Sequence, residues 1–129
     1  MQNISVKTSA HTDFIDITND VQQQIPAGFD GVCLVFCRHT TAGLTINENA
    51  DPDVVRDLKN ELDRLVPGDN SRFQHMEGNS AAHMKSSMLG VSLTVPVTDG
   101  KLALGTWQSL YFCEFDGPRS RQVTVRLLA

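Results

Sequence analysis

Residues 102–128 read LALGTWQSLYFCEFDGPRSRQVTVRLL, and this stretch decides the fold. From Ser120 onward the chain alternates polar and apolar positions, the period-two pattern of a half-buried strand. LALGTWQSLYFCEF reads as a long strand interrupted at Gly105, and Asp116-Gly117-Pro118-Arg119 as the tight turn between the two. At period two, Gln108 and Glu114 share a face with Leu110 and Phe112, while Trp107, Tyr111 and Cys113 take the other. Upstream, VSLTVPV (91–97) is a predicted strand and TDGK (98–101) a turn. The C-terminal third is therefore a run of hairpins.

Working outward, NISVKTS (3–9) alternates as a strand does. DFIDIT (13–18) runs into NDVQQQI, a predicted short helix capped by Thr18 or Asn19 and ended by Pro26 and Gly28. GVCLVFCRH (31–39) is apolar at both parities, which predicts an interior strand covered on both faces. It ends in the polar tip Arg38, His39, Thr40 and Thr41, and Leu44 to Asn47 follows as a short strand. Asp51-Pro52 marks a helix start, a capping carboxylate followed by a proline at the first helical position. Val54, Leu58, Leu62 and Leu65 form its apolar stripe, with Val55 beside them, and Pro67-Gly68 stops it. Asn79 is the predicted cap of a further helix over SAAHMKSSML, closed by Gly90. No repeat or linker is visible. The expectation is one α+β domain over residues 1–129, with a mixed, largely antiparallel sheet core and two to three helices.

A chain of 129 residues buries roughly two-thirds of its unfolded surface and needs no covalent staple. Its net charge of −4, with scattered arginines and lysines, argues against nucleic acid as a partner but leaves room for a small anionic substrate. No apolar run approaches the ~20 residues that cross a bilayer, and MQNISVKTSA lacks the pattern of a signal peptide. Three cysteines show no CxxC spacing; on one strand Cys33 and Cys37 stand roughly 13 Å apart, too far to bridge. Reduced thiols, no membrane and a cytoplasmic location are the expectations.

Three polar clusters carry the chemistry. In HMEGNSAAH (75–83), two histidines flank very small residues, with Gly78 allowing a sharp bend and Ala81 and Ala82 clearing space. His75 and His83, with His39 from a separate strand end, suit a metal ion; the plainer reading keeps them as hydrogen-bonded structural groups, as for His11. In RHTTAGLTINEN (38–49), Thr40, Thr41, Asn47, Glu48 and Asn49 either ring a phosphate, sugar or metal, or bond their own backbone in a turn. Glu48 is there a candidate general base or metal ligand. Beside the C-terminal turn, Glu114 is expected in a salt bridge with Arg119 across it, and Arg119 and Arg121 are also candidate anion clamps.

HTTAGLTINENADPDV, HMEGNSAAHMKSSMLG and LALGTWQSLYFCEFDGPRSRQV together resemble the YjbQ family, small single-domain proteins often labelled secondary thiamine-phosphate synthase. The resemblance covers the chain from about Gly31 onward. It implies an α+β fold with a mixed β-sheet core, a homotrimer, and a site with a metal near the histidines. It makes His39, His75 and His83 the ligand set, surrounded by Glu48, Asn79, Gln108, Glu114 and Arg119. The implied chemistry is a metal-dependent reaction of a small phosphorylated or heterocyclic metabolite, thiamine-phosphate formation among its activities. Glu48 or Glu114 then moves a proton, and Arg119 holds the anion, with Thr40, Thr41, Asn47, Asn79, Gln108 and Arg121 around the substrate. Three imidazoles are a zinc-type donor set; magnesium is the second expectation, because pyrophosphate is its usual partner. A non-catalytic metal- or metabolite-binding trimer is the alternative.

Overall fold

The computed structural model describes residues 1–129. In chain order the elements are β1 (Gln2–Lys7), β2 (Asp13–Asp16), α1 (Thr18–Gln22), β3 (Gly31–Cys37), β4 (Ala42–Glu48), α2 (Pro52–Leu65), α3 (Ser80–Leu89), β5 (Ser92–Thr98), β6 (Lys101–Leu102), β7 (Gln108–Glu114) and β8 (Ser120–Leu128). The α+β expectation holds, but the strands form two sheets rather than one. Five strands run in the order β1-β8-β3-β5-β6 and three in the order β2-β7-β4. Every strand pair is antiparallel.

The main core lies between the sheets, where Cys33, Val35, Val95, Val123 and Val125 of one meet Leu44, Leu110 and Phe112 of the other. A second, smaller core of Ala82, Tyr111, Cys113 and Phe115, with Val55 and Leu62 against it, lies on the other side of β7. The strand covered on both faces is therefore β7, with Leu110 through Glu114 all buried, and not β3. On β3 only Cys33, Val35 and Cys37 point inward, and Phe36 on the outer face is 39% exposed. Apolarity at both parities in 31–39 reports an outer face that this chain leaves open.

Other differences have local causes. The stretch 101–114 is two strands of different sheets, β6 and β7, with Gly105 in the link between them, where its N–H is satisfied by Gln108 Oε1 at 2.8 Å. At α1 the cap position is Ile17 with no side-chain cap. The Thr18 hydroxyl instead accepts from the Leu110 N–H at 2.8 Å, tying α1 to β7. Asp51 caps α2 as expected, accepting from the Asp53 N–H at 2.9 Å. The apolar stripe of α2 leaves none of its residues fully buried. The small residues of α3 let it lie close on β4. Ser86 Oγ donates to the Ala42 carbonyl at 2.6 Å, and Leu44 N–H donates to the Gly90 carbonyl at 3.0 Å. A Cβ on Gly43 would stand 2.8 Å from that same Gly90 oxygen, so only glycine permits this approach. No helix is long and apolar enough to cross a membrane.

Candidate functional site

Three connections meet at one end of the three-stranded sheet, beside the start of α3. The β3–β4 turn brings Arg38, His39, Thr40 and Thr41; the lead into α3 brings Glu77 and Asn79; α3 adds His83. The β7–β8 turn and the start of β8 bring Arg119 and Arg121. Together they enclose an open cavity of about 310 Å³ with no hydrophobic residue in its lining. Its lining charges are three guanidiniums against the single carboxylate of Glu77.

Beneath it lies a buried ion pair. Glu114 is 0% exposed and Arg121 is 5% exposed. Arg121 donates from Nε to Glu114 Oε1 at 2.8 Å and from Nη2 to Oε2, a bidentate pairing. Glu114 also accepts from the Thr8 hydroxyl at 2.9 Å and from the Asp116 N–H at 3.0 Å. Burial alone would raise the Glu114 pKa, but these hydrogen bonds and the Arg121 charge outweigh it and hold the carboxyl below its usual value. The same pairing raises Arg121 above the ordinary guanidinium value. Arg121 spends its remaining reach on the Thr41 hydroxyl at 2.8 Å.

Two expected roles therefore change. Glu114 is in the salt bridge read from sequence, but its partner is Arg121, and a buried, ionised, four-fold satisfied carboxylate is not free to move a proton. Arg121, neutralised by Glu114, is a supporting cation and not a free anion clamp. Arg119 is the accessible guanidinium: its side chain is 48% exposed, and Asp116 accepts from it through Oδ2 at 2.7 Å and through its carbonyl at 2.8 Å.

The histidines divide differently. His39 lies on the cavity wall, its Nε2 accepting from the Gln122 N–H at 3.1 Å and its ring edge-on to Phe112. Burial first, then the Arg121 charge, lowers its pKa, so it is neutral at physiological pH. His75 and His83 sit together, ring centroids 5.4 Å apart at 80°. No three His, Cys, Asp or Glu side chains converge as a metal cluster. The structure thus places two of the three expected ligands as a pair and the third on the wall of the cavity that His83 lines.

Asn79 stands at the α3 cap position without capping it. Its Nδ2 donates instead to Asp116 Oδ2 at 2.9 Å and Glu77 Oε2 at 3.1 Å, and its Oδ1 is buried with no partner. Thr40 and Thr41 line the cavity as expected. Asn47, Glu48 and Gln108 are not brought there. Glu48 pairs with Gln108 at the opposite end of the β4–β7 ladder. There Asn47 Oδ1 accepts from the Glu48 N–H at 2.7 Å, and Gln108 serves Gly105.

Sequence reading missed Thr8, Arg38, Glu77 and Asp116. Arg38 and Glu77 lay inside stretches already singled out, but a charged residue at a strand tip or beside a glycine reads as solvated. Thr8 carried no signal, because its role arises only when β1 is laid beside β8. His11, set aside as structural, is exposed and reaches Asp116 Oδ1 only at 3.8 Å.

Fold and site define a small α+β protein of two antiparallel sheets with a wholly polar, cation-rich cavity where β3, β4, β7, β8 and α3 meet. The chain belongs to the family described as UPF0047 protein YjbQ-like, which matches residues 2–129. It is 48% identical to the UPF0047 protein YugU of Bacillus subtilis over 99% of this chain and 98% of that protein. A UPF0047 protein of Methanocaldococcus jannaschii is 47% identical, over 95% and 90% of the two chains. An uncharacterised YjbQ/UPF0047 protein from Clostridium acetobutylicum superposes with a TM-score of 0.94 at 50% identity, covering 99% and 100% of the chains. A conserved hypothetical protein from Thermus thermophilus gives a TM-score of 0.95 at 43% identity with the same coverage.

Proposed function

We propose that the protein binds a small phosphorylated metabolite in the cavity at the start of α3 and acts on it as a metal-dependent enzyme, with thiamine-phosphate formation a secondary activity. The observation that carries this reading is the lining: nine polar residues, none hydrophobic, three of them arginines. Guanidiniums match phosphate oxygens in geometry and charge, and a cavity without apolar wall selects a ligand that is itself mostly polar. Arg119 holds the anion, its orientation fixed by Asp116. Arg38, which makes no side-chain hydrogen bond of its own, is the second anion contact, and Thr40 and Asn79 orient the ligand.

In this proposal His75 and His83 would hold the metal as a pair, with His39 as the third imidazole on the wall of the cavity and not converged with them. Two imidazoles on one tetrahedral zinc stand with ring centres about 5 Å apart, and the His75–His83 separation of 5.4 Å suits that. His39 is already neutral, as a ligand must be. When bound, such an ion supplies Lewis-acid polarisation of a phosphoryl oxygen. Magnesium, which prefers carboxylates and waters, finds only Glu77 on the lining.

A binding role without turnover is favoured by one observation: Glu114 is neutralised and Glu48 lies elsewhere, so neither carboxylate expected to move a proton is available in the cavity. The assembly we propose is a homotrimer in the cytoplasm. The open outer face of β3, with Phe36 exposed, supports association, and three free buried thiols suit a reducing compartment. Metal content by mass spectrometry and pyrophosphate binding by calorimetry, on wild type, His83→Ala and Arg119→Ala, test the proposal. Stoichiometric metal lost with His83, and binding weakened with Arg119, are expected. Activity that survives loss of both the metal and Arg119 sinks it.

A further inference from the structure

The one carboxylate on the cavity lining comes from the segment the fold holds most loosely. Residues 67–78 join α2 to α3, and all are exposed except Phe73, which is half-buried. Their backbone hydrogen bonds stay inside the segment: Phe73 N–H to the Asn70 carbonyl, Arg72 N–H to Asn70 Oδ1, and Gly78 N–H to the His75 carbonyl. The segment meets the body through the His75–His83 ring contact and through Glu77, which accepts from Asn79 Nδ2. Gly78 sits at φ 76 with nothing within 4 Å of where a Cβ would be, so no packing resists movement of the chain there.

Glu77 is also poorly paired for a carboxylate in a cationic cavity. No arginine hydrogen-bonds it, and its one donor is shared: Asn79 Nδ2 lies 3.1 Å from Glu77 Oε2 and 2.9 Å from Asp116 Oδ2. Asp116 has Arg119 as well; Glu77 has nothing else. A charged oxygen pair brought into an arginine-lined cavity by a loose segment, and weakly held there, stands where an anionic ligand would stand.

We infer that Glu77 is an internal competitor for the anion: its carboxylate occupies the cavity in the unliganded protein, and an incoming phosphate displaces it, leaving segment 67–78 tied to the body through His75 alone. The inference rests on the anion-binding reading above and adds to it a built-in gate. Affinity for phosphate is thereby set lower than Arg38 and Arg119 would give without the carboxylate, and ligand binding is reported outward as loosening of the segment.

The test titrates inorganic pyrophosphate into wild type and Glu77→Gln by calorimetry, and follows trypsin cleavage after Arg72 with and without pyrophosphate. The Gln variant keeps the size and loses the charge, at an exposed residue whose removal does not threaten folding. It is expected to bind pyrophosphate about fivefold more tightly, the upper end for a partly exposed charge contact. Pyrophosphate is expected to speed cleavage after Arg72 in wild type, and the Gln variant is expected to be cut fast without it. Equal or weaker binding by Glu77→Gln, with wild-type binding intact, overturns the competitor role and leaves the anion site standing. Unchanged cleavage on adding pyrophosphate overturns loosening of the segment. Absence of binding in both proteins removes the anion site itself, and the gate with it.

Discussion

The β4–β7 ladder has two ends built from the same two strands, and they fare differently. At one end Ala42 pairs with Glu114, and the β3–β4 turn, the start of α3 and the β7–β8 turn crowd around them. At the other, six residue steps and roughly 20 Å away, Glu48 pairs with Gln108. The polar side chains there serve their own backbone: Asn47 bonds the Glu48 N–H and Gln108 the Gly105 N–H. Both ends carry a glutamate and an amide- or hydroxyl-rich loop. What separates them is how many other connections arrive. A polar residue at a strand end becomes part of a site where the topology delivers partners to it, and otherwise spends itself locally.

The comparison breaks most easily at Glu114. Replacing it with alanine leaves Arg121 buried and uncompensated, and the expected loss is about 3–5 kcal/mol of unfolding free energy by urea denaturation. An equal loss on replacing Glu48 would erase the distinction between the two ends. Acid titration sharpens the same point. The folded pKa of Glu114 lies below its ordinary 4.5, so the unfolded chain binds its proton first. The stability this carboxylate contributes is therefore fully present above about pH 4.5 and is lost as pH falls through the lower folded value. Urea midpoints measured from neutral pH downward should fall more steeply below that point in wild type than in Glu114→Gln. Parallel curves would mean that the pair contributes nothing pH-dependent.

Arg119 is the next step down. Its ion pair with Asp116 is half-exposed, so Arg119→Ala should cost less than about 1 kcal/mol of stability. Its pyrophosphate affinity should nevertheless fall about tenfold, equivalent to about 1.4 kcal/mol. Loss of stability without loss of binding would make Arg119 a structural residue of the turn and hand the anion to Arg38.

How much of this was legible in the sequence differs by kind of signal. Local signals read true: the Asp51-Pro52 helix start, the Gly90 stop and the alternation of Ser120–Leu128 all depend on neighbours in the chain. Signals that name a face without naming what covers it misled. Apolarity at both parities in 31–39 predicted cover that this chain supplies to β7 instead, because the three-stranded sheet lies between the other sheet and helices α2 and α3. Asn79 was placed correctly, but Glu77 two residues before it and Asp116 from the β7–β8 turn draw its amide away from the helix end. The cavity residues of HTTAG, NSAAH and the DGPR turn were found because each motif is short and polar. Which glutamate they gather around is a property of strand pairing, where Glu114 at one end and Glu48 at the other look alike until the register is known.

The smallest expected effect is the sharpest check on that register. Gln108→Ala and Glu48→Gln lie at the far end of the ladder, where the Gln108 side chain bonds only the Gly105 N–H and the Glu48 carboxylate makes no hydrogen bond. Each should change stability by about 0.5 kcal/mol or less. Neither should alter pyrophosphate binding by more than about twofold, because a charge some 20 Å away across solvent is beyond the Debye length of about 8 Å at physiological salt. If Glu48→Gln instead weakened binding as Arg119→Ala does, a single chain could not account for it. The two ends of the ladder would then have to meet between subunits, with Glu48 of one chain facing the arginines of another. Repeating the titration across a dilution series separates the cases: an effect that disappears as the protein becomes monomeric assigns Glu48 to a shared site, and an effect that persists overturns the independence of the two ends.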